Sequence, residues 1–341
     1  MSSFFLAVSP PAVVINPPIT KDLKEEYDFI VAGAVVASRL SENPNFDVLL
    51  LEAGGKATET SEIPAFLGLL QRTDLDWNFT VGPSSEFCLG MIDRELRRSF
   101  GGTIKPWNQK KKDSEDMAGV TKKFCHYSKN RKITKILNSQ ETVIDGFRCS
   151  TNKAFLVPAG GRKNFNVATY SHVTKVLIDP NTNRAYGVRY FRNGAYHDVL
   201  ARKEVILSAG VINTPQILML SGIGPKEHLK ELKIPLIKDL PVGFNFHDHV
   251  GFSLTFVTDK PITYIPQRYN NLITNMTFDL FKKGPLTNPG FDATAFLNSK
   301  FQDPKLSYPD IQVNLLPSTP ATDGGLGDGG LGRKLLNLGD E

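Results

Sequence analysis

The stretch DFIVAGAVVASRL, residues 28–40, takes an apolar strand directly into a helix. The strand is predicted at Tyr27–Val31 and the helix at 34–41, and Gly33 is the single glycine between them. Dinucleotide-binding folds place a Gly-rich turn at this junction, because the backbone must approach a pyrophosphate there. The stretch therefore predicts a dinucleotide-type unit from which most of the usual turn is missing.

A second apolar strand, Asp47–Leu51, follows the turn SENPNF. Continuous apolar strands on both sides of a helix indicate a β-α-β unit in a buried parallel sheet. Glu52 ends this unit, 19 residues after Gly33. An acid at this position either accepts both ribose hydroxyls of an adenosine moiety or is an ordinary charged strand end. The intact unit ahead of it favours the ribose role.

Composition places the chain among globular proteins. It has 341 residues, of which 40% are hydrophobic and 22% charged, which excludes wholesale disorder. The net charge of +5 is mild for this length and indicates neither a nucleic-acid nor a membrane partner. The lysine-rich run at 108–135 is either a nucleic-acid patch or a solvated linker, and its interleaved acids favour the linker.

Several site types are not expected. The three cysteines have no CxxC spacing, so the sequence predicts neither a metal site nor a disulfide framework and leaves a single disulfide bridge open. No apolar run approaches the roughly 18 residues of a membrane-spanning helix. The N-terminus has a short apolar stretch without a basic region, which makes a weak signal peptide and leaves the compartment open.

The second half of the chain alternates strands and turns again. The segments FNVATYSHVTKVLID, AYGVRYFRNGAYHDVLA and KEVILSAG are predicted strands, with turns at DPNTN and RNG. The segment NTPQILMLSGIG is a predicted helix with Asn213 or Thr214 as its cap. The tail contains DGGLGDGGLG, whose flexibility makes it unsuited to a core.

Several of these segments together resemble a known family. They include AGAVVASRLSENP, VLLLEAGG, RCSTNKAFLVPA, ARKEVILSAGVINTPQILMLSGIGPKEHL and LPVGFNFHDHVG, in consistent order over most of residues 25–320. They resemble the glucose–methanol–choline (GMC) family of FAD-dependent oxidoreductases, including its arthropod glucose dehydrogenases. The block at 202–229 is the most specific of the set.

The resemblance implies an α/β fold with an α+β substrate part. A Rossmann-type FAD-binding domain is assembled from discontinuous segments, and a substrate domain is built on an antiparallel sheet. The expected division is 25–107 as the first FAD-binding segment, 108–140 as a lysine-rich linker or substrate-domain remnant, 141–250 as the second FAD-binding segment, 251–320 as a partial substrate domain and 321–341 as a Gly-rich tail.

The implied activity is oxidation of a CH–OH group in a small alcohol or sugar, by hydride transfer to FAD. The resemblance does not specify the electron acceptor. An alternative hypothesis is a non-catalytic flavin-binding or interaction fragment of the same ancestry.

The resemblance also assigns cofactor-binding residues by position. Glu52 matches the ribose acid and Val173 matches a position whose backbone pairs with the adenine. The full set is Gly33, Glu52, Gly101, Gly102, Thr103, Val173, Ala209, Gly210, Asn245, Asp248 and His249.

Some of these assignments have a structural alternative. Val173 can equally be a plain strand residue, and Ala209 and Gly210 can form only a tight strand-to-helix turn. The polar cluster at 245–249 either faces the flavin or stabilises a loop.

The chain departs from the family pattern at the opening stretch. Counted back from Glu52, Gly33 matches the third family glycine, which packs the helix, and the two that form the phosphate-binding turn are absent. We expect the first strand to shorten or slip, since it must donate residues to the loop.

Two further departures concern catalysis. After RRSFGGTIKPWN the sequence passes quickly to the lysine-rich run, without much of the expected substrate domain. None of the six histidines falls in the family's catalytic motif, which lies beyond the segments matched here. We therefore assign no catalytic residue and expect turnover by this chain to be impaired.

Overall fold

The computed structural model describes part of the chain. The described residues are 16–70, 73–77, 79, 133–138, 141–247, 254, 256, 262–264, 269, 271–288, 290–303, 305–306 and 308–317. The chain separates into two compact units. The first, which we call the sheet unit, comprises Ile15–Ala57 and Ser150–Phe252, and the second comprises Met1–Val14, Thr58–Cys149 and Ser253–Glu341.

The strands of the described residues, in chain order, are β1 (Glu26–Ala32), β2 (Val48–Leu51), β3 (Ile133–Asn138), β4 (Val143–Ile144), β5 (Phe147–Arg148), β6 (Phe165–Ala168), β7 (His172–Ile178), β8 (Ala185–Arg192), β9 (Ala195–Leu207), β10 (Ile223–Gly224), β11 (Lys238–Asp239), β12 (Ala293–Leu297) and β13 (Ile311–Leu315).

The α-helices of the same residues are α1 (Ala34–Leu40), α2 (Glu59–Glu62), α3 (Val157–Ala159), α4 (Gly210–Leu220), α5 (Lys226–Glu231) and α6 (Leu272–Phe281). A π-helical segment, Asn152–Leu156, leads into α3, and short 3₁₀ helices lie at Pro64–Leu70 and Pro285–Thr287. None of the helices in the described part of the chain has the length and apolar character needed to cross a membrane.

A six-stranded sheet organises the sheet unit, in the order β6-β2-β1-β9-β8-β7. Strands β6, β2, β1 and β9 are parallel to one another, and β9, β8 and β7 are antiparallel. The predicted β-α-β unit is confirmed, since β1 and β2 pair in parallel with Val31 opposite Leu50. The sheet is therefore mixed, with a parallel half and an antiparallel half.

Both faces of the parallel half are buried. One face packs Ile30 and Leu49 into a cluster that includes Ile217 of α4. The other face packs Val31 and Leu50 against Ala37 of α1 and its neighbours. Because successive strand residues point to opposite faces, strands covered by helices on both sides must be apolar throughout. This arrangement confirms the predicted α/β class.

The hairpin between β8 and β9 confirms the turn predicted from RNG. Asn193 and Gly194 have φ values of 52° and 78°. Positive φ at both central residues defines the tight hairpin turn that Asn-Gly favours. Strand β9 then continues from Ala195 to Leu207, so the two strands predicted on either side of Arg202 are one.

The junction after β1 contradicts the expected shortening of that strand. Strand β1 runs to Ala32, and α1 begins at Ala34 with only Gly33 between them. The backbone N–H of Ser208 donates to the carbonyl of Ala32 at 2.8 Å, so β1 keeps its pairing up to its last residue. The expected shortening was wrong, because β9 pairs with β1 from Glu26 to Ala32, with one register shift between Tyr27 and Phe29.

Side chains from elsewhere in the sheet unit hold the short helix α1. The guanidinium of Arg162 donates to the Ser38 carbonyl at 2.5 Å and to Ser41 Oγ at 2.7 Å. The side-chain amide of Asn164 donates to three backbone carbonyls between Ser41 and Phe46. A helix of seven residues is marginal by itself, so these tertiary bonds stabilise it together with the packing of Ala37 on the sheet.

Helix α4 begins earlier than the sequence predicts. Its first residue is Gly210 and its cap position is Ala209, so neither Asn213 nor Thr214 is the N-cap. The Thr214 side chain still contributes to the start of the helix, since its Oγ1 accepts a hydrogen bond from the backbone N–H of Ala209 at 2.9 Å. The helix therefore starts directly after β9, and Pro215 lies inside it.

The second unit contains a three-stranded antiparallel sheet in the order β13-β12-β3. The predicted fold included an antiparallel sheet of this kind. Helix α6 starts at a side-chain cap, where Asn271 Oδ1 accepts from the Thr274 N–H at 3.0 Å. Phe278 of this helix is buried and packs edge-to-face on Phe147, with the ring centroids 5.2 Å apart.

Candidate cofactor-binding site

Three parallel neighbours of the sheet end at the same edge. Glu52 follows β2, Gly33 follows β1, and Ser208–Gly210 follow β9, and we call these residues the carboxyl edge. In open α/β sheets, ligands bind outside the carboxyl ends of the strands, where the connections diverge to opposite sides. Strand β1 is such a point, because β2 lies on one side of it and β9 on the other.

Glu52 is exposed at this edge and is fixed by its backbone. Its N–H donates to the Ala168 carbonyl at 2.9 Å, and its own carbonyl accepts from the Ser171 N–H at 2.8 Å. One carboxylate oxygen, Oε1, accepts from the Gly54 N–H at 2.7 Å. A carboxylate has about four acceptor positions. The exposed carboxylate therefore retains capacity for further donors such as ribose hydroxyls.

Gly33 is the residue that packs β1 against β9. A β-carbon there would lie 2.8 Å from the Ser208 Cβ and 3.1 Å from its Oγ. Its φ of 161° is extended backbone that any residue adopts, so space rather than conformation requires glycine. The space beside Gly33 is occupied by Ser208, which supports a packing role for this glycine.

At Gly210 it is the backbone conformation, and not the space for a side chain, that favours glycine. Its φ is +90°, in the left-handed region that favours glycine, and a β-carbon there would meet nothing within 4 Å. The backbone at the start of α4 thus has open space beside it. This geometry is compatible with both readings of Ala209 and Gly210, a tight turn and a close approach to a ligand.

Val173 lies in β7, the edge strand of the antiparallel half. It is buried and pairs with Tyr190, and a β-bulge follows between Val173 and Lys175. The chain reaches it from the carboxyl edge, because Ser171, two residues earlier, is bonded to Glu52. Its assigned role toward an adenine stays a prediction.

The remaining predicted residues are not brought to this edge by any described contact. Asn245 is exposed in the turn after β11, and its Oδ1 lies 3.1 Å from His247 Nε2. The other five predicted residues lie outside the described residues: Gly101, Gly102, Thr103, Asp248 and His249.

Tyr170 is a residue of this edge that sequence reasoning missed. It follows β6, and its backbone N–H donates to the Gly54 carbonyl at 3.1 Å. The signal that could have found it is positional: an aromatic residue follows a buried apolar strand of the same parallel sheet.

The charged network of the sheet unit lies at the amino end of β1 and not at the carboxyl edge. Arg202 pairs with Glu26, Asp28 and Asp47 at 3.0 to 3.4 Å. Its hydrogen bond to Asp28 holds the pKa of that carboxyl below its ordinary value. The network neutralises acids at the start of the strands, at the opposite end from Glu52.

Two carboxyl groups of the second unit have raised pKa values. Burial raises the pKa of Glu141 to about 7, and the nearby negative charge of Asp292 adds to the effect. Burial also raises the pKa of Asp292. Among the described residues, no group of three or more His, Cys, Asp or Glu side chains has a geometry that could hold a metal ion.

Comparison with known proteins confirms the predicted family. A family model described as GMC oxidoreductase matches residues 129–251. Glucose dehydrogenase (FAD, quinone) of Drosophila melanogaster is 30% identical over 363 aligned residues, covering 84% of this chain and 57% of the relative. An uncharacterised GMC-type oxidoreductase of Mycobacterium tuberculosis is 31% identical over 365 aligned residues, covering 86% of this chain and 67% of the relative.

A solved structure supports the fold independently. A formate oxidase of Aspergillus oryzae superposes with a TM-score of 0.67 at 19% identity, over 87% of this chain and 69% of the oxidase. The chain spans little more than half the length of the Drosophila relative. With 31% identity over two thirds of the mycobacterial relative, the chain belongs to the GMC oxidoreductase family.

Proposed function

We propose that the chain is the FAD-binding part of an oxidoreductase that acts on CH–OH groups, and that its carboxyl edge binds the adenosine end of FAD. Family membership supports the reaction class, since relatives are named glucose dehydrogenase and choline dehydrogenase. The observation that carries the binding proposal is the meeting of Glu52, Gly33 and Ser208–Gly210 at one sheet edge.

The donor and acceptor chemistry of this edge suits an adenosine. Glu52 presents an exposed carboxylate, which accepts hydrogen bonds from ribose hydroxyls, and its bond to Gly54 fixes its direction. Ala209 and Gly210 carry little or no side chain where α4 begins, so they would admit a ligand close to the backbone. These residues fit the adenosine end of the cofactor.

The bound flavin would supply the redox chemistry, by accepting a hydride from the carbon of an alcohol or sugar CH–OH group. The residues of this edge would bind and orient the cofactor rather than take part in the proton transfer. A small alcohol or sugar is the proposed substrate class, in line with the names of the relatives.

The junction between β1 and α1 favours a second candidate function, adenosine binding without turnover. Only Gly33 separates the strand from the helix, and Ser208 fills the space beside it. The backbone amides that a glycine turn would direct at a pyrophosphate are therefore fewer here. Reduction of an artificial acceptor by the FAD-saturated chain with glucose or choline would favour the enzyme over this candidate.

Glu52→Gln tests the binding proposal. We expect it to weaken ADP and FAD binding by about 10- to 100-fold, because hydrogen bonds to a charged group contribute about 1.5–3 kcal/mol and about 1.4 kcal/mol is tenfold. The glutamine oxygen can still accept from Gly54, so the fold should be unaffected. Isothermal titration calorimetry of the full chain measures the affinity.

The matched control is Glu231→Gln, which removes another exposed carboxylate, at the end of α5. It should bind ADP as the unmodified chain does. Equal affinities for the Glu52 and Glu231 variants would contradict a ribose role for Glu52.

A further inference from the structure

Tyr170 has an unusual backbone for its residue type. Its φ is +52°, in the left-handed region, and 66% of the residue is exposed. Bulky side chains rarely adopt this region, and the conformation persists only where the surroundings hold it. Other non-glycine residues with positive φ include Asn183 and Asn193, a type that tolerates this region well.

Two backbone hydrogen bonds hold Tyr170 in place. Its N–H donates to the Gly54 carbonyl at 3.1 Å, and the N–H of Ser171 donates to the Glu52 carbonyl at 2.8 Å. The segment after β6 is thus tied to the turn that follows β2. Because this turn directly follows Glu52, the two bonds place Tyr170 beside the carboxyl edge.

The ring of Tyr170 lies over the same turn. A β-carbon at Gly55 would collide with the Tyr170 Oη and would lie 2.5 Å from its Cζ, so the hydroxyl edge of the ring rests against Gly55. The carboxylate of Glu52 is bonded to Gly54, the preceding residue. An exposed aromatic ring and an exposed carboxylate therefore contact neighbouring residues of one turn.

We propose that Tyr170 is a platform on which the adenine base of the bound nucleotide stacks, and that it makes this edge selective for a nucleotide over a bare sugar phosphate. The inference rests on the proposed function, because Glu52 must hold the ribose for the base to reach the ring. Stacking suits this position, since every base has a π-face and a tyrosine ring can pack against it.

A purely structural role for Tyr170 predicts a different behaviour. If the ring only clamped the turn at Gly55, its loss would lower the stability and weaken all ligands of Glu52 equally. Tyr170→Gly separates the two roles, because glycine adopts a φ of +52° readily while removing the ring. The variant should therefore fold as the unmodified chain does.

The test compares AMP with ribose 5-phosphate, which lacks the base, by titration calorimetry of the full chain. The unmodified chain should bind AMP about tenfold more tightly than ribose 5-phosphate, a ratio within the range measured for base–aromatic stacking. Tyr170→Gly should remove this preference and leave the affinity for ribose 5-phosphate unchanged. Tyr170→Phe should retain it, and AMP should quench tyrosine fluorescence only where Tyr170 is present.

The control is Tyr196→Ala, which removes a tyrosine that is 67% exposed near the opposite end of β9. It should keep the preference for AMP. If Tyr170→Gly binds AMP as tightly as the unmodified chain while Glu52→Gln binds it weakly, the stacking inference is overturned and the proposed function stands. An unmodified chain that binds neither AMP nor ribose 5-phosphate overturns both.

Discussion

Replacing Leu49 or Leu50 with alanine is expected to lower the free energy of unfolding by about 2–5 kcal/mol in each case, the range for large-to-small substitutions in a core. Leu49 is 0% exposed and Leu50 is 1% exposed, and they point to opposite faces of β2. Each loses its contacts to a different layer, the first on the side of α4 and the second on the side of α1. Urea denaturation of the two variants measures the change.

Leu200→Ala is the matched control for this pair. Leu200 lies in β9 of the same sheet but is 42% exposed, so its truncation should change the stability far less. A large effect of Leu49→Ala together with no effect of Leu50→Ala would mean that α1 does not cover its face of the sheet. That result would contradict the two-sided packing that defines the α/β fold.

Gly33→Ala is expected to destabilise the chain by about 1–3 kcal/mol, the usual cost of overpacking a filled site. The added methyl group would lie 2.8 Å from the Cβ of Ser208, which is closer than two such carbons approach. The backbone at Gly33 tolerates any residue, so the cost arises from the contact alone. Thermal or urea unfolding of the variant measures it.

A double-mutant cycle isolates that contact. In a Ser208→Gly background the same Gly33→Ala change should cost little, since both Ser208 atoms that crowd the methyl group are absent. Gly161→Ala, where an added β-carbon meets nothing within 4 Å, should be near neutral. An equal cost of Gly33→Ala in both backgrounds would show that Gly33 is needed for something other than packing against Ser208.

The sequence was informative where local pattern and tertiary structure agree. The β-α-β unit followed from apolar runs of the right length, because both faces of β1 and β2 are buried. The β8–β9 turn followed from Asn193-Gly194, since few other pairs accept positive φ at both positions. The position of Glu52 followed from its place at the end of β2.

Other features depend on contacts that no local pattern reports. The full length of β1 results from its pairing with β9, a strand more than 160 residues later in the chain. Likewise, α4 begins at Gly210 because a glycine with positive φ allows the chain to bend directly after β9. The two wrong predictions, a shortened β1 and a helix cap at Asn213 or Thr214, were made from local sequence alone. They included neither the pairing with β9 nor the bend at Gly210.

Some residues of the candidate site could likewise be predicted from the sequence, and others could not. Four predicted residues, Gly33, Glu52, Ala209 and Gly210, come together because parallel strands end at a common edge, which their strand assignments already implied. Tyr170 was missed because its place at the edge depends on bonds from its segment to the turn after Glu52. Tertiary hydrogen bonds of this kind leave no periodic signal in a sequence.

Hydrogen–deuterium exchange of the full chain, with and without saturating ADP, tests whether the carboxyl edge binds the adenosine end of FAD. Amides that open by local fluctuation exchange more slowly when a ligand closes over them. We predict slower exchange in peptides covering 52–55 and 170–173, with no change at 238–244. Protection elsewhere without any at 52–55, or no change in any peptide, would contradict adenosine binding at this edge.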